Sequence, residues 1–129
     1  MAFPRLQHVL VLTDDLDATK AFYCEVLGLA VGERPLLPFP GYWLYSGGVA
    51  CVHVAERASY EAQCARLGLS AKPSPVDHVA FEADGYEQPL ERLQAAGVEA
   101  TTNAVAASGV RQIFFDDPNG ARIELVVSE

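Results

Sequence analysis

The chain has 129 residues, of which half are hydrophobic and a fifth are charged. This length is typical of one domain with a substantial core. Seventeen acidic and nine basic residues give a formal net charge of −8. The sequence has no lysine or arginine cluster, which argues against nucleic acid as a partner. No apolar run reaches the ~18–20 residues of a membrane span, and three scattered cysteines are typical of reduced thiols in a cytoplasmic protein.

The first half of the chain predicts the element order βαβββ. A run of β-branched and leucine residues forms the first strand, and Asp14 and Asp15 offer a cap for the helix that follows. Gly28 is predicted to end that helix. A proline-rich segment then separates the second strand from the third, and Gly47-Gly48 marks the next turn. The predicted strands cover residues 7–13, 29–33, 42–46 and 49–55.

The second half repeats this order. Asp84 is predicted to cap its helix and Gly97 to end it. Residues 116–120, Asp-Asp-Pro-Asn-Gly, predict a tight turn before the last strand. The predicted strands cover residues 77–83, 98–102, 110–115 and 121–127. Between the halves, residues 59–67 suggest a short helix and residues 72–75 an extended segment.

This repeat predicts a single domain, residues 1–129, built from two modules. The first module covers about residues 5–56 and the second about residues 76–129, with a linker at 57–75. The fold class is α+β, because each module combines one helix with four strands.

Three histidines and one glutamate occupy matched positions of the two halves. His8 and His78 open equivalent first strands, and His53 and Glu124 lie in equivalent last strands. The chain has no other histidine. Because strand side chains alternate between faces, all four residues can share one face of a sheet. A single histidine would be read as structural, but four such donors together predict a divalent metal site for Zn, Fe, Mn, Ni or Co.

These elements and motifs resemble the vicinal oxygen chelate superfamily, which includes glyoxalase I, methylmalonyl-CoA epimerase, extradiol dioxygenases and bleomycin-resistance proteins. The most specific segments are residues 8–16 (HVLVLTDDL), 22–29 (FYCEVLGL) and 115–125 (FDDPNGARIEL). The resemblance covers nearly the whole chain. It implies that the two βαβββ modules form one curved, cup-shaped mixed sheet. It also implies a homodimer, with a site that is either contained in one chain or shared between two.

The resemblance further implies metal ligands at His8, His53, His78 and Glu124, and a small-molecule substrate chelated through two vicinal oxygens. Lyase or isomerase chemistry through a metal-stabilised enediolate is the first expectation, with Glu124 moving a proton. One alternative is an Fe(II) extradiol-type dioxygenase that uses His8, His78 and Glu124. Another is a bleomycin-resistance-like protein that binds a drug or metabolite without turnover. Glyoxalase I is disfavoured, because that enzyme has a glutamate at the position of His53 and an arginine at that of Leu12.

Four further residues are candidates for substrate contact. Trp43 and Tyr45 lie in a predicted strand, where one face can stack on a substrate and the other belongs to the core. Arg111 and Arg122 can orient an anionic substrate. Solvated or ion-paired roles for both arginines remain open.

Overall fold

The computed structural model describes residues 4–116 and 121–128, in which the elements follow the predicted order. The elements are β1 (Arg5–Thr13), α1 (Leu16–Ala21), β2 (Ala30–Gly32), β3 (Gly41–Ser46), β4 (Val49–Glu56), α2 (Arg57–Arg66), β5 (Val76–Ala83), α3 (Glu87–Ala95), β6 (Thr101–Val105), β7 (Val110–Asp116) and β8 (Arg122–Ser128). None of these described helices has the length and apolar character needed to cross a bilayer. The predicted turn at 116–120 lies, apart from its first residue, outside the described residues.

The described strands form one mixed sheet in the order β2-β3-β4-β1-β5-β8-β7-β6. Each module contributes four neighbouring strands, and the modules meet where β1 pairs antiparallel with β5. Within the modules, β1 pairs parallel with β4 and β5 pairs parallel with β8. The prediction of an α+β fold, with two βαβββ modules in one curved sheet, is confirmed. The four central strands therefore carry the four candidate ligands.

The local signals for the helix ends have mixed outcomes. The Asp15 carboxylate accepts a hydrogen bond from the Ala18 amide at 3.0 Å, and Gly28 has a φ of 86° beyond the helix, as predicted. A π-helical turn over Phe22–Val26 interrupts what the sequence suggested was one continuous helix. Gly97, with a φ of 72°, follows α3 as predicted.

Two predictions in the second module are wrong. Asp84 does not cap α3, which begins three residues later without a side-chain cap. Instead, its carboxylate accepts a hydrogen bond from Arg5 on β1 at 3.2 Å. The strand predicted at 98–102 begins only at Thr101, because the Val98 amide donates to the Leu93 carbonyl at 2.9 Å and still belongs to the end of α3.

Helix α2 packs against the face of the sheet that carries the histidines. Its buried residues Tyr60 and Cys64 contact Leu10 and Leu12 of β1 and Ala55 of β4. Burying such side chains stabilises the fold by roughly 1.5–3 kcal/mol for each large apolar group. The helix thereby forms one wall above the centre of the sheet.

The pairing of β1 with β5 contains two irregularities, and each precedes a histidine. Leu6 pairs with Phe81 and His8 with Ala80, so Gln7 is an extra residue on β1. Similarly, His78 pairs with Leu10 while Val76 pairs with Val11, so Asp77 is an extra residue on β5. Bulges of this kind redirect side chains. Here they bring Gln7 and Asp77 into contact with the histidines that follow them.

Candidate metal centre

Three of the four predicted ligands converge at the centre of the sheet. His8, His78 and Glu124 each offer one ligand atom, and these atoms lie within 4.8 Å of one another. The distance to Glu124 Oε1 is 3.4 Å from His8 Nε2 and 2.9 Å from His78 Nε2. All three residues are at most 5% exposed. The register explains this convergence, because Ala80 pairs with His8 on one side and with Glu124 on the other.

The residue before each histidine fixes the orientation of the imidazole ring. Gln7 Oε1 lies 2.7 Å from His8 Nδ1, and Asp77 Oδ2 lies 2.9 Å from His78 Nδ1. If each Nδ1 donates its proton to that oxygen, each Nε2 keeps a lone pair directed at Glu124. An outer oxygen that fixes the tautomer in this way is a common feature of metal-binding histidines.

The Asp77 carboxylate accepts several hydrogen bonds besides its contact with His78. Its Oδ2 accepts hydrogen bonds from Tyr60 Oη at 3.2 Å and Arg122 Nη1 at 3.0 Å, and its Oδ1 accepts one from the Lys72 amide at 2.7 Å. Burial raises the pKa of this carboxyl, but the bonds from His78, Lys72 and Arg122 outweigh burial and lower the pKa overall. Asp77 is therefore an ionised, immobile support for His78.

Glu124 is oriented through its other oxygen. Gln112 Nε2 donates to Glu124 Oε2 at 2.8 Å, and Asn103 Nδ2 donates to Gln112 Oε1 at 2.7 Å. Burial raises the pKa of Glu124, but the two imidazoles that face it, His78 and His8, outweigh burial and hold the pKa well below its usual range. The carboxylate is therefore ionised, with Oε1 facing the two imidazoles.

The chemistry of these three residues fits a divalent cation. His78 Nε2 is buried and has no hydrogen-bond partner of suitable geometry among the described residues, although Glu124 Oε1 is near. Burial lowers the pKa of His78, but the carboxylates of Asp77 and Glu124 outweigh burial and raise the pKa to about 9. The centre thus attracts positive charge strongly, and its two nitrogens and one oxygen suit zinc or a similar ion.

His53, the fourth predicted ligand, does not point to the same place. Its ring lies between those of Trp43 and His8, with centroid distances of 3.9 Å and 3.6 Å and interplanar angles of 9° and 15°. Its Nε2 lies 3.1 Å from the Ala50 carbonyl oxygen and donates to it when protonated. Imidazole binds metals in the ring plane, so two nearly parallel stacked rings do not share one ion. His53 joins the set only if its ring leaves this stack.

A cavity of about 770 Å³ lies above the three convergent residues and is also lined by His53 and Trp43. This volume is in the range of small-molecule sites. Of the other predicted substrate contacts, the Tyr45 hydroxyl donates to the Glu33 carbonyl at 2.5 Å, and Arg111 lies over the Tyr86 ring at 3.6 Å. Arg122 is engaged with Asp77. The described lining of the cavity includes Trp43 but not Tyr45, Arg111 or Arg122.

Three residues that matter for the site were missed in the sequence. Gln7 and Asp77 carry a weak signal, since each directly precedes a candidate ligand, yet strand alternation assigns them to the opposite face. Arg34 lines the cavity from the segment between β2 and β3. No local pattern distinguishes this arginine from an exposed loop residue.

The fold and the candidate metal centre together define a class of protein, in which two βαβββ modules share one mixed sheet with donor residues at its centre. The chain belongs to the Glyoxalase/Bleomycin resistance protein/Dioxygenase superfamily, whose family model matches residues 5–125. This match confirms the family that the motifs resemble.

Individual relatives include named enzymes. Glyoxylase I 4 of Arabidopsis thaliana is 29% identical over 123 residues, which cover 93% of this chain and 68% of the relative. Lactoylglutathione lyase of Salmonella typhimurium is 28% identical over 131 residues, which cover 95% of this chain and 91% of the relative. The solved structure of methylmalonyl-CoA epimerase from Mycobacterium tuberculosis has a TM-score of 0.73 at 21% identity, covering 97% of this chain and 88% of that chain. This last similarity shows a shared fold.

Proposed function

We propose that the protein is a divalent-metal-dependent enzyme that acts on a small substrate held through two neighbouring oxygens, by lyase or isomerase chemistry. The observation that carries this proposal is the convergence of His8 Nε2, His78 Nε2 and Glu124 Oε1 beneath a cavity of about 770 Å³. Three protein ligands leave coordination positions open for a substrate, as in catalytic rather than structural sites. The named lyase relative supports the same class of chemistry.

A bound divalent ion would supply Lewis-acid stabilisation of the negative charge that develops on the substrate oxygens. The chain itself supplies the orientation of the ligand side chains. Gln7 and Asp77 keep the two imidazoles in place, so the site needs little reorganisation when a substrate enters. A substrate that fills the largely apolar cavity would displace water from it, which strengthens the electrostatic interactions at its floor.

We assign the proton transfer to Glu124. It is the only carboxylate among the described residues of the centre, and Gln112 holds Oε2, so Oε1 would have to detach from the ion to accept and return a proton. His53 occupies the position at which glyoxalases carry a glutamate. Burial, reinforced by the neighbouring His8, lowers the pKa of His53 to about 2, so this imidazole is neutral at physiological pH.

Metal titration of Glu124→Gln tests this proposal. Full-length protein stripped with a chelator is expected to bind about one equivalent of Zn²⁺ or Co²⁺ per chain. Glu124→Gln should weaken that binding by about 100-fold, since a direct ligand matters at least as much as an outer partner. The exposed Glu99→Gln is the matched control and should bind like the wild type. Wild-type stoichiometry near zero with Zn²⁺, Fe²⁺, Mn²⁺, Ni²⁺ and Co²⁺, or unchanged binding in Glu124→Gln, contradicts the proposal.

A second candidate is an Fe(II) extradiol-type dioxygenase, and one observation favours it. The stacking of His53 between Trp43 and His8 leaves two histidines and one carboxylate as the convergent donors. This triad is typical of non-haem iron oxygenases. His53→Ala distinguishes three protein ligands from four, because a variant with unchanged affinity for Co²⁺ identifies His53 as a neighbour rather than a ligand.

The two reactions differ in what they consume. Lyase or isomerase chemistry exchanges substrate hydrogen with solvent, so 2-hydroxyketones incubated with the metal-loaded protein in D₂O should gain deuterium. Dioxygenase chemistry instead consumes O₂ in the presence of a catechol and Fe²⁺. Deuterium exchange without O₂ uptake supports the first candidate, and the reverse supports the second. A protein that binds such compounds and does neither is a binding protein.

We further propose that the protein assembles as a homodimer in the cytoplasm. Phe22 and Val26 of the π-helical turn, and Leu27 directly after it, are each at least 55% exposed. Apolar side chains exposed together favour a protein contact. Sedimentation of the full-length chain tests the dimer, and a single species of monomer mass contradicts it.

A further inference from the structure

The cavity above the candidate metal centre is lined mainly by apolar side chains, with polar ones at its floor and at scattered points that include Gln63, Glu82, Ser108 and Arg34. Leu36, Leu37 and Phe39 form one side, and the β6–β7 hairpin contributes Ala104–Ala107. The chain has nine lysines and arginines. Among the described residues that line the cavity, Arg34 is the only lysine or arginine. A substrate in this cavity therefore meets one cationic side chain.

The positive charge of the Arg34 guanidinium has no carboxylate partner among the described residues. Its Nη2 donates to the Phe39 carbonyl at 2.8 Å, and the guanidinium carbon lies 5.3 Å from the centre of the Phe39 ring. Its Nε is buried and has no hydrogen-bond partner among the described residues. Burial is the cause that lowers the pKa of this guanidinium. A partly desolvated cation without a counter-charge is unfavourable until an anion reaches it.

Three other cations of the described chain have carboxylate partners, and Arg57, which donates to two backbone carbonyls, lies outside the cavity lining. Arg5 pairs with Glu82 at 3.4 Å, Lys72 with Asp116 at 2.9 Å and Arg122 with Asp77 at 3.0 Å. No carboxylate of the described residues lies within ion-pair distance of Arg34. The counter-charge for Arg34 is therefore best supplied by a ligand of the cavity.

We propose that Arg34 binds the single carboxylate of a substrate whose apolar body fills the cavity. A planar carboxylate matches the guanidinium, which still has Nε free. A monocarboxylate pairs with this one cation, whereas a phosphate dianion or a polyanionic conjugate brings more negative charge than Arg34 can balance, in a cavity that Glu82 and Glu124 also line. Binding of the carboxylate to Arg34 does not depend on the proposed function. Only one part of the inference rests on it, namely that two neighbouring oxygens of the same substrate reach the candidate metal centre.

This substrate class differs from those named in the relatives. A coenzyme A ester carries several phosphate charges, and a glutathione adduct carries two carboxylates and an ammonium group. The described lining has one cation for them. The cavity therefore selects compact apolar monocarboxylates over glutathione and coenzyme A conjugates.

Calorimetric titration of the full-length protein with matched probes tests the proposal. The probes are 3-phenylpropanoate, its uncharged counterpart 3-phenylpropan-1-ol, and S-hexylglutathione, each titrated into zinc-loaded and chelator-treated protein. In chelator-treated wild type, the carboxylate should bind about 10- to 100-fold more tightly than the alcohol. Arg34→Met should remove this preference and leave the affinity for the alcohol unchanged. The exposed Lys20→Met removes one positive charge outside the cavity and should retain the preference.

Several results would overturn the proposal. If Arg34→Met weakens the carboxylate and the alcohol equally, Arg34 only shapes the wall through Phe39. Tighter binding of S-hexylglutathione than of 3-phenylpropanoate, or no binding of either phenyl probe at millimolar concentration, also contradicts it. Zinc content measured on the same samples separates the two proposals. If the wild type binds no zinc but still prefers the carboxylate to the alcohol, the proposed metal-dependent function is contradicted and the proposed role of Arg34 is supported.

Discussion

Each imidazole of the metal centre is oriented by the residue immediately before it in the chain. The two supports differ in charge, since Gln7 offers a neutral amide oxygen to His8 and Asp77 offers a carboxylate to His78. A carboxylate partner increases the basicity of an imidazole ligand. His78 is therefore expected to be the stronger donor, and His8 the ligand whose position depends more on a single hydrogen bond.

Replacing Gln7 by leucine tests that dependence. Without the amide oxygen, His8 can rotate or change tautomer, and the affinity for Zn²⁺ should fall by about 10- to 100-fold. Because Gln7 is only partly buried, the melting temperature of the metal-free protein should change little. Competition with a chromogenic chelator measures the affinity, and Gln88→Leu on the exposed surface of α3 is the matched control. Equal zinc affinity in Gln7→Leu and wild type contradicts a positioning role.

At the scale of the strands, regular alternation does not explain this arrangement. Neighbouring residues of a strand point to opposite faces, yet Gln7 contacts His8 and Asp77 contacts His78. The two bulges in the pairing of β1 with β5 resolve the conflict. Alternation in the sequence predicted which face the histidines share. It did not predict the bulges, because these depend on the register between strands from different modules.

Several other predictions also divide into those that depend on local sequence, which are confirmed, and those that depend on contacts between distant segments, which are wrong or were missed. Gly28 and Gly97 follow helices because positive φ is a local requirement that glycine meets, and both predictions are confirmed. Asp84 was expected to act locally as a cap, but Arg5 on a neighbouring strand binds its carboxylate. Arg34 and Asp77 were missed for the same reason, because burial and a partner distant in the chain define their roles. Local signals were readable in the sequence, whereas long-range pairing was not.

Strand β3 must approach β4 closely for Trp43 to stack on His53, and Gly41 permits that approach. A Cβ at Gly41 would lie 2.1 Å from the backbone oxygen of Val54. Backbone atoms cannot move aside without separating the strands, so Gly41→Ala should destabilise the protein by about 1–3 kcal/mol. Urea unfolding measures the change. Gly85→Ala is the control, because a Cβ at Gly85 meets nothing within 4 Å and should cost less than about 0.5 kcal/mol. Similar destabilisation by both variants contradicts this role for Gly41.

At the scale of the whole molecule, the candidate metal centre contains residues of both modules. His8 comes from β1 of the first module, and His78 and Glu124 come from β5 and β8 of the second. These groups are buried at the junction, so their ionisation is coupled to the stability of the whole fold. A proton and a divalent ion compete for the same centre, and they are expected to make stability depend on pH in opposite directions.

For the metal-free protein, the raised pKa of His78 determines whether stability rises or falls with pH. Its pKa is raised to about 9 in the fold, against about 6.5 in an unfolded chain. Its contribution is therefore complete below pH 6.5 and is lost as the pH rises through 9. The loss should reach at most about 3–4 kcal/mol, since one pKa unit corresponds to about 1.4 kcal/mol. Thermal unfolding of chelator-treated protein should show a melting temperature that falls between pH 7 and 9, and His78→Gln should flatten this fall.

For the metal-loaded protein, stability is expected to change with pH in the opposite direction. A cation that binds His78 Nε2 must displace its proton, so zinc binding strengthens as the pH rises towards the pKa of His78. The rise in melting temperature produced by equimolar Zn²⁺ should therefore be larger at pH 8.5 than at pH 6.5, because stabilisation follows the affinity of the folded state for its ligand. Melting curves with and without zinc at both pH values measure the difference. A zinc-induced rise that is equal at the two pH values would show that the ion binds somewhere other than His78.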